Sequence, residues 1–180
     1  FITTLAIMTS LRGAIMVISE GQPVTMLGRD FGFIGTGYIG SIPFPIIMML
    51  IGTIIITYVL RFTPFGRHVY AVGGNAEASR LSGVRTNTVI VRCYAICAFF
   101  AAIAGMVMAS RVDSATPLAG NGAELDAIAA AVIGGISLSG GKGNPLGGLI
   151  GALIIAVLNN GMDLMDVPVF FTDVVKGIVI

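Results

Sequence analysis

Few residues in this sequence have the type and spacing to do chemistry. Gly141-Lys142 is the closing pair of a phosphate-loop pattern, in which glycine amides cradle phosphates and a following Ser or Thr hydroxyl meets Mg²⁺. Position 136, where the pattern needs glycine, is Ile, and residue 143 is Gly. Cradle and hydroxyl are therefore missing, so any ATP is hydrolysed elsewhere. Cys93 and Cys97 are four apart on one expected helix, with no histidine near them. Two lone thiols make a poor zinc site and read as small buried apolar residues. The single histidine, His68, lies in a basic loop and reads as solvated. Glu124 and Asp126 are two apart and point to different sides of a helix. They suit a solvated acidic pair at a helix N-terminus, or the rim of a surface where a partner docks. We identify no catalytic residues, no nucleophile with its base and no ligand cluster.

Arg12 interrupts an apolar stretch, residues 1–19. A charge within a span is costly and faces a cavity or a partner. Arg12 either pairs with an acid elsewhere or extends its head to a membrane edge. Asn159 and Asn160 stand near the end of another apolar stretch. One is suited to an interhelical hydrogen bond, the other to a pathway for a polar cargo.

The elements that must position these residues follow from composition. Of 180 residues, 56% are hydrophobic and 11% charged, where a soluble domain carries about 25% charged. The mean hydropathy is +0.96. A soluble globule of this length could not hide that much apolar surface, so the fold class is an all-α integral membrane protein, a polytopic helix bundle. A net charge of +1 gives no attraction to nucleic acid, and two cysteines cannot frame a secreted fold. Both ends, Phe1 and Ile180, fall in apolar stretches, which leads us to expect a piece of a longer membrane protein.

A spanning helix needs about 20 mostly apolar residues. Residues 43–60, 93–110 and 143–162 are uncharged windows of that order. Residues 1–19 qualify apart from Arg12, 127–141 are short for a crossing, and a further span is expected from Phe170 onward. Residues 127–162 form either two spans turning at Gly140-Gly141-Lys142-Gly143-Asn144-Pro145 or a re-entrant hairpin, a glycine-rich broken segment in both cases. Glycine and alanine repeat every four residues at Gly143, Gly147 and Gly151, and at Ala101, Gly105 and Ala109. Such spacing lets helix backbones approach closely, within a chain or between copies. Between Arg61 and Arg92 five arginines face one acid, a net of +4, whereas 111–126 carries a net of −2 and Asp163, Asp166 and Asp173 have no basic neighbour. The positive-inside rule makes loop 61–92 cytoplasmic and puts 19–42 and 111–126 outside.

That basic loop has its own pattern. Gly73-Gly74 is expected to turn, Asn75 to cap a helix, and 76–82 to form two turns ending at Gly83 in the left-handed position. Glu77 and Arg80 are ordered favourably for the helix dipole. Glu77 and Leu81 also share a face. A helix this short is marginal alone, so something must hold it.

The segment Gly66-Arg67-x-x-Tyr70-Ala71-x-Gly73-Gly74-Asn75-x-x-Ala78-x-Arg80-Leu81-Ser82-Gly83-Val84 resembles the cytoplasmic coupling loop of sugar-importing ABC permeases of the ribose, xylose and galactoside group. The resemblance continues through Ala119-Gly120 with Glu124-Leu125-Asp126-Ala127-Ile128-Ala129-Ala130, Gly134-Gly135-x-Ser137-Leu138-x-Gly140-Gly141-x-Gly143, Asn159-Asn160-Gly161-Met162 and Val174-Val175-Lys176-Gly177. Phe1-Ile2-x-Thr4-Leu5 with Arg12-Gly13 is similar to the family's mid-protein helix. It covers nearly all of the chain, residues 24–45 least.

The resemblance implies a single transmembrane permease domain over 1–180, in the bacterial cytoplasmic (inner) membrane. It implies four partners: a cytoplasmic ATP-binding subunit, a periplasmic or lipid-tethered sugar-binding protein, a second permease copy and membrane lipid. ATP and Mg²⁺ would sit on the ATPase, and this chain would bind no cofactor. Gly73, Gly74, Asn75, Glu77, Ala78, Arg80, Leu81 and Gly83 would couple to that ATPase. Arg12, Glu124, Asp126, Asn159 and Asn160 would be candidates for the pathway or for contact with the binding protein. The alternatives are a branched-chain amino-acid permease of the same superfamily, which shares the glycine-rich break but not the 73–83 loop, and a stand-alone secondary transporter. No acid lies inside an expected span to couple an ion, which counts against the latter. The stretch Asn160-Gly161-Met162-Asp163-Leu164-Met165-Asp166-Val167-Pro168 looks closest to pentose-type members.

Overall fold

A computed structural model describes residues 2–165, so the expectations for Phe1, Asp166, Asp173 and the segment from Phe170 onward lie outside the described residues. The described chain is mainly helical, and three of its helices are long and apolar enough to cross a membrane. It divides into two compact units, Phe1–Leu50 with Ala98–Asn121 and Ile51–Cys97 with Gly122–Ile180.

The first unit begins with α1, Ile2–Ile18, whose 17 residues reach about 26 Å. It ends at Gly21, where φ is +71° and the amide donates to the Met16 carbonyl at 3.0 Å. β1, Val24–Thr25, follows, then α2, Arg29–Thr36, and a tight hairpin of β2, Tyr38–Ile39, with β3, Ile42–Pro43. Gly40 supplies the positive φ, +64°, of that two-residue turn. These short pairs are an addition to the expected all-helical pattern, confined to connections. α3, Phe44–Phe62, starts in this unit and carries Arg61 in its last turn, where a cation complements the helix dipole.

The second unit holds α4, Pro64–Gly74, and α5, Ala76–Leu81. The corner from α3 into α4 is built by Thr63. Its hydroxyl donates to the Val59 carbonyl at 2.6 Å and accepts from the Gly66 amide at 3.3 Å, with Pro64 pre-set for the first helical turn. Gly66 is required here, because a Cβ on it would overlap the Leu60 carbonyl. Loop 61–92 is therefore mostly helix, not an open connector.

α6, Thr86–Val112, has 27 residues, about 40 Å, longer than a hydrocarbon core of about 30 Å. It extends the expected 93–110 window by two turns that include Arg92. β4, Ser114–Ala115, pairs antiparallel with β1 in the first unit. Ser110, 2% exposed, ties that end together. Its hydroxyl accepts from the Gly35 amide at 2.8 Å and donates to the Phe31 carbonyl at 2.5 Å.

α7, Ala123–Ile133, and α8, Pro145–Leu164, complete the second unit. α7 has 11 residues, about 16 Å, too short to cross. α8 has 20, enough for a span. Gly134 faces Gly147, Ala130 faces Gly151, and Asp126 meets Asn159, so the two helices run antiparallel. The 127–162 segment thus fits neither reading in full: it is a broken hairpin in which α7 is half-length and α8 has the length of a span. Ala129, Ala130 and Ile155 form its buried core, with Ile133 against them. The Gly147 and Gly151 repeat is thus spent within the chain, whereas a Cβ on Gly105 would meet nothing within 4 Å.

Candidate functional site

The short helix α5 is held from both ends by its own sequence. Asn75 has extended backbone, φ −157°, and its side-chain oxygen accepts from the Ala78 amide at 3.0 Å. At the other end Gly83 has φ +84°, and the Val84 amide donates to the Ser79 carbonyl at 3.0 Å, a glycine-dependent C-cap. Both expectations for this helix hold. Ser79 is its one buried residue, and its hydroxyl donates to the Asn75 carbonyl at 2.8 Å. Glu77 and Arg80 form an ion pair at 2.8 Å. They stand exposed beside Leu81, which is 80% exposed. The exposed side of this small helix thus carries an ion pair and a leucine.

The expected turn at Gly73-Gly74 is corrected. Both are helical, the last two residues of α4, and the change of direction falls on Asn75, whose amide donates to the Ala71 carbonyl at 3.0 Å. Asn75 thus ends α4 and begins α5 at once. Glycine is a poor helix former, and its use at 73 has a packing cause. A Cβ on Gly73 would overlap the Gly141 amide nitrogen, whereas one on Gly74 would meet nothing within 4 Å. The glycine-rich break therefore lies directly on α4. The Tyr70 hydroxyl adds a hydrogen bond to the Gly143 carbonyl at 2.9 Å. Tyr70, Gly141 and Gly143 belong to the sequence motifs but carried no assigned role there. Nothing in a linear pattern pairs residues 70 places apart.

The polar candidates separate. Asp126 and Asn159 meet between α7 and α8, Asn159 Nδ2 donating to Asp126 Oδ2 at 3.3 Å. Glu124 shares the first turn of α7 and is exposed, as is Asn160 on α8. In the first unit, Arg12 Nη1 donates to Asn121 Oδ1 at 3.1 Å. Cys93 is half-buried and Cys97 exposed. The pair is not buried as expected, because α6 is exposed along most of its length within this chain. Among the described residues no group of three or more His, Cys, Asp or Glu could hold a metal ion.

Comparison with known proteins finds permeases. The family described as "Branched-chain amino acid transport system / permease component" matches residues 1–180. The ribose import permease protein of Bacillus subtilis is 50% identical over 182 residues, covering 100% of this chain and 56% of the relative. That of Haemophilus influenzae is 48% identical over 100% of this chain and 57% of its own length. The xylose transport system permease protein of Haemophilus influenzae is 48% identical over 76% of this chain and 36% of its own length. The chain thus spans a little over half the length of the curated ribose permeases it matches. No solved structure matches it.

Proposed function

The chain belongs to the branched-chain amino acid transport system / permease component family, and from that premise we propose that it is part of the transmembrane subunit of an ATP-driven importer of monosaccharides, of the pentose class. The observation that carries this reading is α5. It is a capped, exposed two-turn helix with an ion pair and Leu81 on show, joined through α4 to the hairpin of α7 and α8. The sugar class rests on relatives that are ribose and xylose permeases and on the 73–83 segment, against the amino-acid alternative.

In this reading α5 docks into a cytoplasmic ATPase. ATP binding draws two such helices together, and a dimer of permeases switches the side to which its pathway opens. A separate binding protein captures the sugar outside and supplies the affinity. ATP and Mg²⁺ belong to the ATPase. Loop 61–92 is cytoplasmic, and 19–42 with 111–126 lies outside, in a bacterial inner membrane. The hairpin supports that sidedness. The break contacts α4 at the basic end, while Asp126 and Asn159 meet at the other, where the connections are acidic. Arg12, Glu124, Asp126, Asn159 and Asn160 are the candidates for the pathway or for the binding-protein contact.

The test is uptake by proteoliposomes holding the full-length protein, its ATPase and its binding protein. The reading predicts ATP-dependent accumulation of labelled ribose or xylose and none of leucine. Leucine uptake without sugar uptake overturns the substrate class. Uptake of either that needs no ATP overturns the ATP-driven reading.

A further inference from the structure

α4 stands between the coupling helix and the hairpin, and close backbone contacts run along that line. At its C-terminal end Asn75 serves both helices, its amide bonded to Ala71 and its side chain to Ala78, so a single residue joins α5 to the end of α4. Two residues back, Gly73 rests backbone to backbone on the break. A Cβ on Gly140 would come within 2.9 Å of the Gly73 carbonyl oxygen, and one on Gly141 within 2.7 Å of the Gly74 Cα. Gly140, Gly141 and Gly143 hold φ of +85°, +73° and +152°, conformations that side chains resist. The break is closed on itself by the Ser137 amide donating to the Lys142 carbonyl at 3.0 Å. Beyond it, Gly134 meets Gly147 and Gly151 meets Ala130, again at backbone distance. Interfaces packed this closely transmit displacement instead of absorbing it.

We propose that Tyr70 and Gly73 are positioning residues of the coupling, locking α4 to the glycine-rich break so that movement of α5 is delivered to the α7–α8 hairpin. The inference rests on the permease reading and deepens it: the coupling helix makes the outside contact, and α4 is the lever. Tyr70 holds the register through its hydroxyl on Gly143. Gly73 sets the distance. His68, exposed on the same helix, serves as the control.

The experiment measures sugar imported per ATP hydrolysed, in proteoliposomes of the full-length protein with its ATPase and binding protein. Tyr70→Phe removes only the hydroxyl. It is expected to retain the ATPase and hydrolyse ATP, but to import about fivefold less sugar per ATP, the worth of about one hydrogen bond. Gly73→Ala is expected to uncouple more fully, and His68→Ala to match the unaltered protein. A variant that merely assembles poorly loses both activities together and leaves the ratio unmoved. Should Gly73→Ala fail to assemble, Tyr70→Phe decides. A normal ratio in Tyr70→Phe, or an equal loss in His68→Ala, overturns the lock while leaving the permease reading in place. No sugar-linked ATP turnover in the unaltered protein overturns the permease reading, and the lock with it.

Discussion

Asn159 on α8 donates to Asp126 on α7 at 3.3 Å, fastening the open end of a hairpin whose closed end is glycine against glycine. The Asn159 side-chain oxygen, Oδ1, is buried without a hydrogen-bond partner among the described residues. A polar bond between membrane helices contributes about 0.6–2 kcal/mol. Asn159→Leu is therefore expected to lower the melting temperature in detergent by a few degrees without unfolding the protein. An unchanged or raised Tm would show that the bond holds nothing.

The glycines of the hairpin differ sharply from those elsewhere. A Cβ on Gly151 would overlap the Ala130 carbonyl, whereas Gly105 has room. Gly151→Ala should destabilise by about 1–3 kcal/mol through overpacking, and Gly105→Ala should be silent or slightly stabilising in the isolated subunit. Thermal unfolding of the two variants side by side checks this, and equal melting temperatures would contradict it.

Removing the Asn75 cap should loosen α5 without disturbing the spans. A lost N-cap costs about 1 kcal/mol, so Asn75→Ala is expected to speed amide exchange across 76–82 about fivefold. Exchange within α8 should stay as it was. Uniform acceleration through both helices would mean that the cap supports the whole unit.

The Glu77–Arg80 pair is exposed and contributes little to stability. Its loss should be felt by a partner. Glu77→Lys and Arg80→Glu are each expected to insert and melt normally while uncoupling ATP hydrolysis from transport. Normal sugar uptake by both variants would remove α5 from the coupling role.

Local features were legible in the sequence. Asn75 and Gly83 announced a short capped helix because caps are written in adjacent residues. The uncharged windows located α3, α6 and α8 because lipid imposes length and apolarity. Legibility failed where a local signal had a distant cause. Gly73-Gly74 read as a turn, yet Gly73 is helical because residue 141 leaves no space for a side chain. Cys93 and Cys97 read as buried, but in this chain much of α6 faces outward. Arg12 gave no sign of Asn121, and Tyr70 none of Gly143, since both contacts depend on the folded path.

The central claim is that α5 is the handle by which an ATPase grips this protein. Purification of the full-length protein from gently solubilised native membranes, with partners identified by mass spectrometry, tests it most directly. The account predicts a stoichiometric ATPase that is lost when residues 75–82 are scrambled and the protein still inserts. An abundant, folded protein with no ATPase, or one whose ATPase survives the scrambling, would contradict it.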